Sequence, residues 1–551
     1  MKHIHYIYTL LFGVAVLLFF GLAYPHHLHY QEQYQLFLFD NTYVWDIVRL
    51  PGGVADLLGR FCTQFFLYAW VGALIIALLL SAVQLLTLRL LNYQLSIIHY
   101  PLLYALSFVP SFLLWLFLLD ENALLGGVWA VLLTLLASWI MSWSFGRLDV
   151  WSFGGWGKAL RLIILFAAIP ILYWIVGPIC VLFFLLQVLN PISFASSQSS
   201  KFKVQSSIVA FVLLAILLFI LASHIPVQPR SLWFGIHYHR YPTVIPVLLW
   251  SAALSVFVLA LIARFFNKPA TSKSQNLKTL LFCALCFLCG LCAVWKYSNL
   301  KAEKVMQYDF MARHQQWNRI LATINAEKPN NQIGVTVQNL ALGMHGLLAD
   351  HLFEFNQNGI LGLLPDVQSD ATSPLPTAEA FYQLGMINVA QRTVFECQEA
   401  ILDFQKSGRC YKRLAQTNLI NGKYEVARKY LTALQKTLFY RDWANETMAL
   451  LGDEKAIAKH PEYGRLRQFA YKENLVLDRD SSRSANPSEI DGSRLTGEFY
   501  FSDHVTPEML ESLYYGNTDN RLAFEYLKAY YMLTGDREGY NKLLRELEVR
   551  N

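Results

Sequence analysis

The chain has 551 residues, 55% of them hydrophobic and 15% charged, with a formal net charge of +6. Soluble globular chains carry about 25% charged residues, so a large part of this chain is expected to sit in lipid, which excludes an all-soluble enzyme. The small positive excess, spread over this length, offers no basic surface for nucleic acid.

A hydrocarbon core of about 30 Å takes about 20 apolar residues. Runs near 4–24, 61–88, 101–119, 123–143, 159–175, 177–192, 206–223, 244–266 and 278–297 meet this, and predict an all-α polytopic membrane domain over 1–297 with about nine spans. The first run has Lys2 before it and no small-x-small cleavage site after it, so it is read as an anchor. Residues 159–192 would make a single helix of about 45 Å. Pro170, Gly177 and Pro178 interrupt them and favour two spans. With the N-terminus inside, the basic residues Arg89, Arg147, Lys158, Arg161, Lys201, Lys203, Arg264, Lys268, Lys273 and Lys278 all fall in inner loops, as the positive-inside rule requires. The loops 25–60, 120–122 and 224–243 then lie outside, together with everything after Ser298.

Four of the eight cysteines, Cys283, Cys286, Cys289 and Cys292, follow one another at intervals of three within an apolar helix. That spacing turns them through about half a circle, too far to converge on one metal. They are read as small apolar residues.

From about Lys301 the composition becomes that of a soluble helical domain, 298–551, with a loop-like polar stretch near 478–492. The string LINGKYEVARKYLTALQK, with Gly422 at a turn, Tyr424, and Ala427 at a close helix approach, resembles a tetratricopeptide-like helix pair. MLTGDREGYNKLLREL, with Gly535 and Tyr540, echoes it. In an oxidising compartment Cys397 and Cys410, thirteen positions apart across a helix–turn–helix, are either a disulfide or two separate buried thiols.

The stretch from Pro25 to Arg60 carries the chemistry-bearing groups nearest the N-terminus. It holds His26, His27 and His29, the acids Glu32, Asp40, Asp46 and Asp56, and interleaved aromatics. On the same outer face stand Asp120 and Glu121, and a basic cluster of His224, Arg230, His237, His239 and Arg240. Partly desolvated carboxylates can take a proton from a hydroxyl or amine, and a pair of them can hold a divalent cation. Arginine beside histidine suits a phosphate or pyrophosphate. Isolated loop acids are more often plain surface, and clustered loop histidines are more often interfacial polar residues than metal ligands. GGWGK at 154–158 is not a phosphate loop, since Ser152 and Ala159 occupy positions where that motif needs glycine and a hydroxyl residue. The chain contains no His-Glu-x-x-His and no Gly-x-Ser-x-Gly.

The order acid, acid, base, soluble domain resembles the layout of membrane-embedded C-type glycosyltransferases, which use lipid-phosphate-linked sugars. That resemblance implies a catalytic acid among Glu32, Asp40 and Asp46, assistance from Asp120 and Glu121, and phosphate binding by Arg230, His237, His239 and Arg240. It also implies a polyprenyl-phosphate donor and an outer-face acceptor. YQEQYQLFLFDNTY and LPGGVADLLGRFCTQFF resemble an uncharacterised family of bacterial inner-membrane proteins with a similar soluble tail, a likeness that implies location and no activity. Two readings compete with the transferase: a non-enzymatic scaffold recruiting partners through the repeat domain, and a transporter. Few internal charges line the spans for a transporter.

Overall fold

The computed structural model describes residues 4–95, 101–148, 154–189, 228–265, 273–366, 374–402, 405–469 and 507–550, with positions 212, 216, 220, 224 and 225. The regular elements among these residues are all helices, and the two β-bridges among them, Ala123–His239 and Asn358–Ile360, are isolated. The chain divides into two compact units. One comprises Met1–Glu32 with Phe39–Leu300; the other comprises Gln33–Leu38 with Lys301–Asn551.

In the first unit, four helices are long and apolar enough to cross a membrane: Tyr6–Ala23, Ala69–Asn92, Leu125–Ser144 and Ile163–Leu189. Tyr104–Phe117, Val247–Ala263 and Ala284–Tyr297 are apolar but shorter. The expected nine spans are thus four by length among the described residues, and local causes account for the difference. The run 61–88 is trimmed because Gly53–Thr63 forms its own helix, followed by a 3-10 turn at Gln64–Leu67. The run 101–119 is split into Pro101–Leu106 and Val109–Phe117, with Pro110 in the first turn of the second piece. The interval 159–192, expected as two spans, is one interrupted rod as far as Leu189, beyond which it lies outside the described residues. Gly154–Val176 passes through a 3-10 turn at Gly177–Ile179 into Cys180–Leu189, ten residues and so about 15 Å. The expected span 206–223 lies outside the described residues but for Val212, Ile216 and Ile220.

The first helix shows how the unit packs. Phe12, Val16 and Phe20 recur every fourth residue and are fully buried, while Leu10, Leu11, Leu18 and Leu22 on the other side are 46–67% exposed. A helix apolar on both its buried and its open face is built for a lipid surround. Phe12 meets Phe112 and Trp115 edge-on at ring-centroid distances of 5.2 and 5.8 Å. Hydrogen bonds also cross between helices. Thr9 donates to Gln84 at 2.8 Å, Gln84 to Ser107 at 2.8 Å, and Ser111 to the Leu80 carbonyl at 2.9 Å.

The second unit has its own core, including Tyr308, Met311, Leu340, Tyr382, Leu419, Ala427, Leu510 and Tyr526. Consecutive helices from Pro374–Leu384 to Tyr424–Gln435 pack against one another. Gly385, Gly422 and Gly535 take positive φ at the turns, and Ala427 is fully buried. These features fit the helix-pair cadence, but no open array of repeats emerges. In a solenoid each repeat touches only its neighbours. Here Arg521–Thr534 packs back onto Gln332–Met344, Leu348–His351 and Pro374–Leu384. The polar stretch 478–492 lies outside the described residues.

Candidate functional site

Polar groups of the first unit gather where several of its helices end. Gln31, on the helix Pro25–Glu32, donates to the carbonyls of Asp120 at 3.4 Å and Ala123 at 3.2 Å. The turn 120–124 is stitched to the loop 237–241 by two backbone bonds, Leu124 N–H to Tyr238 O at 3.2 Å and Arg240 N–H to Asn122 O at 2.8 Å. Tyr238 is buried and donates to the Val176 carbonyl, and the Gly52 N–H donates to the Trp174 carbonyl at 2.9 Å. The break at Gly177, with φ +73°, is what lets Tyr238 in, since a Cβ there would lie 2.7 Å from its hydroxyl.

On this frame His239, 7% exposed, places Nε2 3.1 Å from Oδ2 of Asp120. Its Nδ1 accepts from the Tyr241 N–H at 3.1 Å. Nδ1 also lies 3.3 Å from the Tyr241 carbonyl, and since an ionised carboxylate only accepts, it is the Nε2–H that donates to Asp120. Oδ1 of Asp120 accepts from the Asn122 N–H at 2.9 Å. Burial would raise the Asp120 carboxyl, but hydrogen bonds from His239 and Asn122 and the His239 charge outweigh it and hold the group below its ordinary value. The Asp120 side chain is nevertheless 47% exposed, an anion open to solvent with a buried partner behind it. Arg240 is buried, its Nη1 3.5 Å from the Tyr30 hydroxyl and its guanidinium 5.8 Å from the centre of the Tyr241 ring.

The structure thus brings together one acid and one basic residue expected from sequence, Asp120 and His239, on loops far apart in the chain, with Arg240 next to His239 along its loop. Glu32 is buried at the end of its helix. Asp40 caps the start of Asn41–Val48, partly exposed, and accepts from the Thr42 hydroxyl. Asp46 pairs with Arg49 at 3.2 Å, both about 60% exposed, a geometry worth little in water. Glu121 is partly exposed, and Arg230 and His224 are exposed. His237 points elsewhere, with Nδ1 3.5 Å from Oδ2 of the buried Asp56. No three His, Cys, Asp or Glu side chains converge to hold a metal among the described residues. Cys397 and Cys410 are fully buried, on Ile387–Glu399 and Gly408–Ile420, which pack together.

Two buried clusters were not singled out from sequence. Asp56 accepts from Arg60 Nε and Nη2, each at 2.8 Å, and both residues are buried. Tyr43 bonds the same guanidinium. The signal was available, because acid and base four apart share a helix face. In the second unit Arg409 forks onto Asp309 at 2.7 and 2.8 Å and reaches Glu379 at 3.4 Å, while Arg413 holds Glu379 at 2.6 Å. Burial would raise the Glu379 carboxyl, but Arg413 and Arg409 overcome it and pull it below its ordinary value.

A helical chain with rods of membrane length, closed at one end by a buried polar corner, and with a second all-helical unit, is the class of protein these features define. The chain belongs to a family of unknown function (DUF6057), matched over residues 1–550. No curated protein and no solved structure matches it.

Proposed function

We propose that the chain is a membrane-embedded transferase working at the Asp120–His239–Arg240 corner, moving a sugar or related group from a polyprenyl-phosphate donor to an acceptor on that face. The observation that carries the reading is the half-open Asp120, bonded to buried His239, with buried Arg240 the next residue of the same loop. An ionised carboxylate held in place by preformed bonds receives a substrate hydroxyl without reorganising. As the acceptor oxygen bonds the transferred carbon, its proton passes to Asp120. The bond from that carbon to the phosphate oxygen breaks, and Arg240 takes the charge left on the lipid phosphate. A carboxyl held low is a weak base, so positioning carries most of its effect. Glu32, buried in the preceding helix, is the second acid of the reading. A divalent cation, if the reaction uses one, would sit at the open face of Asp120.

In this reading the chain lies in a bacterial inner membrane, with its N-terminus inside and 298–551 outside. The shorter apolar helices complete a set of about nine crossings, and the second unit, with its tetratricopeptide-like pair, receives the acceptor or a partner. The test is transfer from a polyprenyl-phosphate-linked sugar in proteoliposomes. Asp120→Asn and Arg240→Gln are expected to lower the rate at least about 100-fold, with Asp40→Asn and Asp46→Asn near wild type. Full activity in Asp120→Asn would sink the assignment.

One observation favours a second reading. Part of the polar loop, Gln33–Leu38, is buried and belongs to the second unit, the use a non-enzymatic scaffold would make of it. The scaffold predicts that Asp120→Asn leaves function intact, while charge reversals on the exposed faces of Tyr424–Gln435 abolish partner recruitment.

A further inference from the structure

The six residues Gln33–Leu38 follow the helix Pro25–Glu32 directly, yet they belong to the compact unit formed with Lys301–Asn551. All six are buried, at 3–7% exposure. Arg409 Nη1 donates to the Gln33 side-chain carbonyl at 3.0 Å, so Gln33 completes the ring of acceptors around a buried guanidinium that also binds Asp309, Glu379 and the Leu375 carbonyl. The Leu36 N–H donates to the Lys406 carbonyl at 2.9 Å, in the connection leading into Gly408–Ile420. Leu36, Phe37 and Leu38 supply the apolar part. An unpaired donor on a buried charge is costly, so Gln33 satisfies a requirement that Lys301–Asn551 does not meet alone.

We infer that Gln33–Leu38 is an intramolecular strap that completes the second unit, and that it fixes both on one side of the membrane. Two segments of one compact unit, joined by direct hydrogen bonds, cannot be divided by a bilayer. The chain between Phe39 and Leu300 therefore crosses an even number of times. Three of the four long helices lie in that interval, Ala69–Asn92, Leu125–Ser144 and Ile163–Leu189. If each of these three crosses once the count is odd, and the long helices are then not the whole set. The remainder must come from the shorter apolar helices, from the break at Gly177, or from chain outside the described residues.

Two measurements on the full-length chain in cells test this. Single cysteines at the exposed positions Asn41 and Lys429 are labelled with a membrane-impermeant maleimide, read over the background of the unsubstituted chain. Both are expected to label from the same side, and labelling from opposite sides overturns the inference. Independently, Leu36→Cys with Lys406→Cys is expected to crosslink on mild oxidation and to migrate faster on a non-reducing gel, while neither single variant does. A double variant that labels normally at Asn41 and Lys429 but never crosslinks overturns the strap. These readouts require no transferase activity, so they stand or fall apart from the proposed reaction.

Discussion

At the scale of single residues, burial sorts the titratable groups near the polar corner into different roles. Asp120 stays half open and ionised, whereas His27, on Pro25–Glu32, is 1% exposed. Burial pushes its imidazole down to about 4, against the opposing influence of a bond with the Leu118 backbone and the Asp120 charge. Between about 4 and 6.5 the unfolded chain binds this proton and the folded chain does not, so stability rises with pH through that window and is lost as pH falls through it. The slope from this one group is about 1.4 kcal/mol per pH unit. Thermal unfolding in detergent at pH 7 and pH 5 is expected to show the loss, and His27→Gln to flatten it; an unchanged slope in the variant would assign the acid sensitivity elsewhere. Arg409 belongs to the same scale. Arg409→Met leaves Asp309 and Glu379 buried beside one remaining cation, Arg413, and is expected to cost about 3–5 kcal/mol. Gln33→Ala removes one neutral acceptor and should cost about 1–3 kcal/mol. Denaturant titration separates the two, and an equal loss in both would mean that Gln33 acts through more than this bond.

At the scale of elements, the position of the Asp56–Arg60 helix is set by a backbone crossing. A Cβ on Gly59 would lie 2.4 Å from the Gly126 nitrogen, so Gly53–Thr63 and the start of Leu125–Leu148 touch main chain to main chain. Gly59→Ala is expected to push them apart, to lower the midpoint of thermal unfolding by the equivalent of about 1–3 kcal/mol, and to disturb the neighbouring 237–241 loop. Gly535→Ala is the contrast: φ is +73° with nothing within 4 Å of the added Cβ, so only backbone strain of about 1–2 kcal/mol is at stake. Equal midpoints would show that the crossing has room to relax. Such contrasts also mark what the residues disclose in advance. Apolar runs are legible because lipid imposes a local length rule, and positions such as Gly422 are legible because a turn needs positive φ. The single rod over 163–189 was not, because its break depends on how Gly52, Gly177 and Tyr238 meet from three distant segments.

Across the whole molecule, the meeting of Asp120 with His239 could be anticipated, since both were read onto one face. Which acid would be chosen could not. Glu32, Asp40 and Asp46 look alike as letters, and only packing left Asp46 in water beside Arg49 and put Glu32 inside. The strap was least visible of all. YQLFL alternates like any loop with aromatics, and its partner, Arg409, stands 376 residues away from Gln33. That separation has a consequence in time. At about 5–20 residues per second, a ribosome completes Arg409 roughly 20–75 s after Gln33. For that interval Leu36, Phe37 and Leu38 have left the ribosome while the core that receives them does not yet exist. The nascent chain must be shielded at this spot, and its final assembly waits on the last half of its own synthesis.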